Sequence, residues 1–359
     1  MARKRKKRII LTGGGTAGHV TPNIALMPEL KKKGFDIRYI GSYNGIEKEM
    51  IETLGVPYYG ISSGKLRRYF DLKNFTDPFR IIKGYFEARL LMSKLKPSVV
   101  FSKGGFVTVP VVLAAKHKKI PVIIHESDMT PGLADKLALP SASKVCCNFP
   151  ETLKYLPDGK AVLTGSPIRQ ELFSGDKAKG LEFCGFNEEK PVLLIMGGSL
   201  GSVAINNAVR GSLDKLLETF QIAHLCGKGN LDESLTDKEG YAQFEFVSDE
   251  LTDLFACTDM MISRAGANAI CEILALRKPN VLIPLSAAAS RGDQILNAGS
   301  FEKQGYSYVI QEEDVTDKTL LDAVDEVFTN KDKYIEAMNK SDLADPIGTI
   351  MGLITKLAK

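Results

Sequence analysis

Two doubly wound α/β domains, each a parallel sheet flanked by helices, are what this 359-residue sequence predicts. Three observations predict them. The length exceeds the roughly 250–300 residues at which a single core stops growing. Short Val- and Ile-rich runs alternate with longer stretches of helical period, as in parallel sheets with crossover helices. Finally, "LTGGGTAGHV" (11–20) opens the first half as strand, glycine turn and helix, and "IMGGSLGSVAINNAV" (195–209) opens the second half in the same way.

In order, the predicted strands of the first half are Arg8–Thr12, Asp36–Ile40, Ser98–Ser102, Val122–His125, Lys144–Asn148 and Ala161–Thr164. Those of the second half are Val192–Met196, Ile222–Cys226, Phe244–Val247, Met260–Ser263, Val281–Pro284 and Tyr308–Ile310. The Gly- and Pro-bearing "TGSPIRQEL" (164–172) reads as the linker, giving a first domain over 1–164 and a second over 165–340. After Asp345-Pro346 a Pro-started helix is expected, so residues 341–359 are assigned to a segment that crosses back to the first domain.

Composition narrows the function classes. A hydrophobic fraction of 44% with 25% charge is that of a soluble protein, and no window approaches the roughly 20 apolar residues of a membrane span. The basic start resembles a signal n-region, but only Ile9, Ile10 and Leu11 follow before the glycines, so a cytoplasmic chain is expected. The six cysteines lack CxxC spacing and read as reduced thiols, and no metal cluster is expected. A net charge of +4 is too small to argue for nucleic acid. Its concentration in the first eight residues and between Lys65 and Lys96 points to an anionic surface as partner.

The glycine turns carry the chemistry. Gly13, Gly15 and Gly18 satisfy GxGxxG, yet the strand that follows ends "RYIGSYNG" with no acid for a ribose hydroxyl, which argues against a dinucleotide. Consecutive glycines at a helix start still expose N–H groups to an anion. "FSKGGFVTVP" (101–110) is a further turn of this kind, and "VIIHESDMTPG" (122–132) brings His125, Glu126 and Asp128 to a strand's carboxyl end. Ligands of open α/β sheets collect at that edge, so Thr16, His19, Gly104, Gly105, Glu126 and Asp128 are expected at one crevice, although His125 also reads as a structural histidine. The second half offers "GGSLGS" with Ser199, "SRAGANAICEIL" with Arg264, Ala267 and Glu272, and "LIPLSAAASRGDQILNA" with Gln294. Converging helix N-termini, each worth about 0.3–1 kcal/mol to an anion, could hold a diphosphate without metal. No Asp-x-Asp pair occurs.

Taken in order, "GGGTAGHVTP", "KGGFVTVP", "HESDMTPGLADK", "TGSPIR", "GGSLGSVAIN", "SRAGANAICE" and "SRGDQILNA" resemble the MurG family of glycosyltransferases across nearly the whole chain. The resemblance implies the GT-B fold, two Rossmann-like domains with the active site in the cleft between. It implies inverting transfer of N-acetylglucosamine from UDP-N-acetylglucosamine to the muramoyl 4-hydroxyl of undecaprenyl-pyrophosphoryl-muramoyl-pentapeptide, the lipid I to lipid II step of peptidoglycan synthesis, with no cofactor. On that implication Arg169 and Ser199 hold the nucleotide and phosphates, the Val247 backbone meets the uracil, Glu272 takes the ribose and Gln294 the sugar, with Arg264 and Ala267 among the donor contacts. Thr16, Ala17, Gly18 and Asp128 approach the sugar and leaving phosphate, with His19 nearest the reacting centre. Where the family reads "HEQN" and "TGG", this chain has Asp128 and Ala17. An alanine fits there only if its φ is negative. Rival readings are a UDP-sugar hydrolase, another lipid-directed UDP-sugar transferase, a UDP-sugar 2-epimerase and a non-enzymatic UDP-sugar binding subunit.

Such a transfer needs a base, for which the sequence offers His19 first and Glu126 second, since an unperturbed histidine titrates near neutrality. A lipid acceptor also calls for membrane contact at the cytoplasmic face. Asp77-Pro78 reads as cap and first turn of a helix ending before Pro97. Phe79, Ile82, Phe86 and Leu90 form one apolar stripe, and Ile81, Tyr85, Met92 and Leu95 another. One packs on the sheet. The expectation is that Ile81 and Tyr85, flanked by Arg67, Arg68 and Lys83, meet anionic lipid, the alternative being a stripe buried under a loop.

Overall fold

The computed structural model describes residues 7–64, 73–198, 201–288, 290, 292–341 and 345–358, the side chains of 73–76 excepted. Arg67, Arg68 and Ser199 therefore lie outside the described residues. The chain divides into two compact units, Met1–Arg169 with Asp345–Lys359, and Gln170–Ala344.

The first unit is built on β1 (Arg8–Thr12), β2 (Asp36–Ser42), β3 (Tyr58–Ile61), β4 (Val99–Ser102), β5 (Val122–Glu126), β6 (Lys144–Cys147) and β7 (Ala161–Leu163). They form one parallel sheet in the order β3-β2-β1-β4-β5-β6-β7. The order reverses between β1 and β4, and the carboxyl ends beside such a switch point are where open sheets bind ligands. Helices α1 (Thr21–Lys32), α2 (Ile46–Glu52), α3 (Lys73–Leu95), α4 (Thr108–His117) and α5 (Leu133–Ala138) cover the faces. Strands such as "VVFS" and "VIIHE" are buried along their whole length, because a sheet covered on both sides demands continuous apolar runs. Two clusters result, one per face: Leu26, Leu30, Ile51 and Phe101 belong to one, Val111, Val112, Ile124 and Val145 to the other.

The second unit repeats the plan with β8 (Val192–Met196), β9 (Gln221–Leu225), β10 (Tyr241–Phe244), β11 (Met260–Ser263), β12 (Asn280–Leu282) and β13 (Tyr308–Val309), in the order β10-β9-β8-β11-β12-β13. Its switch point lies between β8 and β11. Its helices are α6 (Lys177–Cys184), α7 (Val203–Gly211), α8 (Leu213–Thr219), α9 (Leu251–Cys257), α10 (Ala267–Leu276), α11 (Asp293–Lys303), α12 (Asp317–Thr329) and α13 (Lys331–Asn339). The last helix, α14 (Pro346–Leu357), starts at a proline behind the Asp345 cap and buries Ile347, Ile350, Met351 and Ile354 in the first unit's core beside Leu26 and Leu30.

Three expectations are corrected. The edge strand β3 is absent from the predicted set, because "YYGI" is mostly half-buried and carries a glycine, so it lacks the signature of its neighbours. β10 covers Tyr241–Phe244 instead of Phe244–Val247, since its ladder with β9 ends at Phe244 opposite Leu225. Third, α3 begins at Lys73 with Pro78 inside it, the proline removing one donor without ending the helix.

The faces of α3 are also the reverse of the expectation. Phe79, Ile82, Phe86 and Leu90 are the exposed stripe, at 74%, 54%, 53% and 72% exposure. Met92 and Leu95 are buried, and Tyr85 packs against the same core. The cause is legible in the small residues Gly84 and Ala88 on the inward face. A Cβ on Gly84 would lie 2.0 Å from the Ser62 carbonyl oxygen, so the helix approaches the loop after β3 only on that side. Among the described residues no helix is long and apolar enough to cross a membrane.

Candidate active site

In the first unit the turn after β1 is held from several directions. The Tyr39 hydroxyl donates to the Gly13 carbonyl at 2.8 Å, and Asn23 Nδ2 donates to the Thr12 carbonyl at 3.2 Å. Glu47, in the first turn of α2 and fully buried, accepts from the Gly15 N–H at 3.2 Å and from the Ser42 N–H and hydroxyl at 2.9 and 2.6 Å. Thus anchored, Gly15, Thr16 and Ala17 are exposed, and Ala17 keeps a negative φ, so the alanine is accommodated. The turn after β4 closes over this loop. Gly105 has φ +89, and a Cβ there would sit 2.3 Å from the Gly14 carbonyl oxygen and 3.4 Å from the His19 ring.

His19 is half-buried in the short 3-10 turn that precedes α1. Its Nδ1–H donates to the Lys103 carbonyl at 3.1 Å, which leaves Nε2 as the ring's acceptor. Burial, then the nearby Lys103 ammonium, lowers its pKa to about 4. The imidazole is therefore neutral at working pH, with a lone pair to accept a proton, although its proton affinity is below that of the ordinary histidine assumed from sequence.

Glu126, the second candidate for the base, lies at the end of β5. It is buried, with Oε1 accepting from the Asp128 N–H at 3.0 Å. Its Oε2 and Oδ1 of buried Asp135 receive no donor. Burial, then the charge of Asp135, pushes Glu126 well above the usual carboxylate range, and burial raises Asp135 as well. Two adjacent carboxyls in a dry site favour holding a proton between them. His125 is fully buried, its Nε2–H donating to the Gly165 carbonyl at 2.8 Å, and burial keeps it neutral. Its role is structural. Asp128 and Arg169 are half-buried in this same unit, and Arg169 Nε has no hydrogen-bond partner.

In the second unit the turn after β8 has Gly198 at φ +93 and Gly201 at φ +75. Ser202 caps α7, its Oγ accepting from the Ile205 N–H at 3.3 Å. Gly266 precedes α10 with no side-chain cap, and Ala267 opens the helix, so that N-terminus has amide donors for an anion. Glu272 is half-buried in the next turn. Gln294 Oε1 accepts from the Leu285 N–H at 3.1 Å, so its amide nitrogen is what it can offer a ligand. Val247 is buried in the loop after β10 instead of on a strand.

Arg264 follows β11 and is buried. Nη1 donates to the carbonyls of Ile283 and Pro284 at 3.1 and 3.2 Å, and Nη2 to the Ser202 hydroxyl at 2.6 Å and to the Glu312 carboxylate. Burial works against the charge of Glu312, yet the hydrogen bonds from Arg264 and Ser286 hold its pKa below the usual range. Four guanidinium donors are thus committed within the protein, where Arg264 ties the cap of α7 to the loop after β12.

Glu47 and Lys103 are the site residues that sequence reasoning passed over. Lys103 is buried, with Nζ bonded to the Ser127 hydroxyl. The available signals were local: an acid in a first helical turn after Gly45, and a charge between a buried strand and a Gly-Gly turn.

With this geometry in place, comparison with known proteins gives the following. The sequence profile of the glycosyltransferase family 28 N-terminal domain matches residues 9–147, and that of the family 28 C-terminal domain matches residues 192–348. A protein of Lachnoclostridium phytofermentans named "UDP-N-acetylglucosamine--N-acetylmuramyl-(pentapeptide) pyrophosphoryl-undecaprenol N-acetylglucosamine transferase" is 67% identical over 351 residues, 98% of this chain and 99% of its own. A protein of the same name from Lachnospira eligens is 64% identical over 98% of this chain and 100% of its own. Among solved structures, MurG of Acinetobacter baumannii superimposes with a TM-score of 0.75 at 25% identity, covering 98% of this chain and 99% of that one.

Proposed function

The chain belongs to the MurG family within glycosyltransferase family 28 and has its GT-B fold, and from that premise we propose how its residues carry out the reaction. The enzyme transfers N-acetylglucosamine from UDP-N-acetylglucosamine to N-acetylmuramyl-(pentapeptide) pyrophosphoryl-undecaprenol, the lipid I to lipid II step of peptidoglycan synthesis. The observation that carries this is identity of 60–67% across the full length of transferases so named.

In the proposed mechanism the muramoyl 4-hydroxyl attacks the anomeric carbon of the donor sugar. The bond from that carbon to the β-phosphate oxygen breaks, UDP takes the electron pair, and the configuration inverts to a β-1,4 linkage. His19 Nε2 receives the hydroxyl proton. The loop of Thr16, Ala17 and Gly18, with Asp128, approaches the donor sugar and leaving phosphate. Ser199 and the N-terminus of α10 at Ala267 hold the diphosphate, and stabilising such developing charge is usually the largest catalytic contribution. Arg169, with its unpartnered Nε, adds a charge to the nucleotide. The Val247 backbone takes the uracil, Glu272 the ribose and Gln294 the sugar hydroxyls.

The test is UDP release from UDP-N-acetylglucosamine with and without a short-chain pyrophosphoryl-muramoyl-pentapeptide lipid. Release that requires the acceptor and yields a disaccharide lipid is expected. Equal release without acceptor would make the protein a hydrolase.

We further propose that the enzyme sits peripherally at the cytoplasmic face of an anionic membrane, and that α3 makes the contact through its exposed stripe rather than through Ile81 and Tyr85. Four large apolar side chains in line on one helix, with Arg80 and Lys83 beside them, suit an interfacial helix. Phe79→Glu with Phe86→Glu is expected to abolish flotation with phosphatidylglycerol vesicles and leave the melting temperature unchanged. Undiminished flotation would assign the contact to another surface.

A further inference from the structure

A cavity of about 500 Å3 opens in the first unit beside the carboxyl ends of β2 and β3. Ser42, Asn44, Ser62 and Ser63 contribute hydroxyl and amide groups to its wall, and Arg80 and Lys83 of α3 contribute two positive charges. The close approach at Gly84, with its missing Cβ against the Ser62 carbonyl, is what brings this part of the helix to the loop after β3. Both cations hold their acidic neighbours loosely, Arg80 to Asp77 at 4.0 Å and Lys83 to Glu87 at 3.8 Å, and both are well exposed. Glu87 is occupied elsewhere, accepting from the Ser62 N–H at 2.6 Å and from the Ser62 and Tyr43 hydroxyls at 3.3 Å. The charges of Arg80 and Lys83 are therefore only partly met within the protein.

We propose that this cavity receives the pyrophosphoryl group of the lipid-linked acceptor. The inference rests on the transferase reading given above and names where that substrate is gripped. Two cations one helical turn apart share a face and match the two charged phosphates of a pyrophosphoryl group, and Asn44 and Ser63 add neutral donors, the Ser42 and Ser62 hydroxyl protons being given to Glu47 and Glu87. The volume falls within the roughly 300–1,000 Å3 of small-molecule sites. A phospholipid headgroup needs only exposed cations on an open surface, whereas here the cations overlook a concave wall that holds Asn44 and Ser63.

Connectivity agrees with the order of groups in the acceptor. Glu47 accepts both from Ser42, in the cavity wall, and from Gly15, in the loop that leads to His19. One carboxylate thus joins the pyrophosphoryl cavity to the reacting end of the site, as the muramoyl ring joins the pyrophosphoryl group to the attacking hydroxyl. On the other side, the exposed stripe of α3 begins at Phe79 and Ile82, next to the same two cations, where the prenyl chain would leave for the bilayer.

The test uses the full chain, a detergent-soluble short-chain acceptor and no vesicles, with Arg80→Ala, Lys83→Ala and Arg80→Lys. Each alanine variant is expected to raise the acceptor KM about tenfold, the scale of a lost charge-assisted hydrogen bond, with kcat and the KM for UDP-N-acetylglucosamine unchanged. Arg80→Lys should recover most of the loss. Alanine variants that keep the acceptor KM but lose flotation with phosphatidylglycerol vesicles would assign the cations to phospholipid headgroups and overturn the site. No change in either measurement would overturn it equally. A wild-type protein that makes no disaccharide lipid would overturn the transferase reading, and this site with it.

Discussion

His19→Ala is expected to lower kcat by about two to four orders of magnitude, the range a positioned base contributes, while UDP-N-acetylglucosamine binds within about twofold of the wild type. The expectation follows from the bond to the Lys103 carbonyl, which fixes the ring with Nε2 as acceptor, and from the burial that keeps the imidazole neutral. The sign of the pH dependence follows too. A base works when deprotonated, so activity is lost as pH falls through the folded-state pKa of about 4, not through the ordinary value of 6.5. In the free enzyme kcat/KM for the acceptor should therefore hold through pH 6 and fall only near pH 4–5. Steady-state kinetics across that range, with isothermal titration of the donor, measures both effects. Equal losses of turnover and donor affinity in His19→Ala would reduce the residue to a binding contact, and a wild-type acid limb near pH 6.5 would contradict the buried neutral ring.

Glu47→Ala is expected to destabilise the protein by about 2–4 kcal/mol, since the Ser42 N–H and hydroxyl lose a buried acceptor at about 1–3 kcal/mol each. It should also lower turnover, because the Gly15 N–H loses the partner that ties the loop before His19 to α2. Glu47→Gln keeps one carbonyl oxygen and should lie between. Chemical denaturation with turnover at saturating donor reads the two effects. A loss of stability below about 1 kcal/mol would show that water replaces the carboxylate, which two protein donors at 2.6–2.9 Å in a fully buried position argue against.

The contrast between these two residues shows what a sequence carries by itself. His19 was legible because its signal is local: a buried strand, a glycine turn and a proline-started helix lie within fifteen residues, and that order of elements dictates a ligand edge. The same logic placed the turns after β4, β8 and β11. Glu47 acts on a residue 32 positions away, and the carbonyl that orients His19 lies 84 positions on. No local periodicity encodes such partners. Arg264 shows the same gap from the other side, since its motif placed it at the right edge while the partners of its donors lie 19 to 62 residues distant. In α3 the two stripes are equally apolar, so hydrophobicity could not decide which packs. The decision lay with the small residues Gly84 and Ala88.

The return of α14 to the first unit has a consequence for biosynthesis. Ile347, Ile350, Met351 and Ile354 fill the face of the core that also contains strands β1 and β4, but a ribosome delivers them only after all of Gln170–Ala344 has been made. The domain that is translated first is therefore the one that finishes last. Until then it carries an open apolar seam, which in the crowded nascent state is a natural ligand for holdase chaperones. A stop codon at or just before Ile347 would leave that seam permanently uncovered, whatever the state of the second domain.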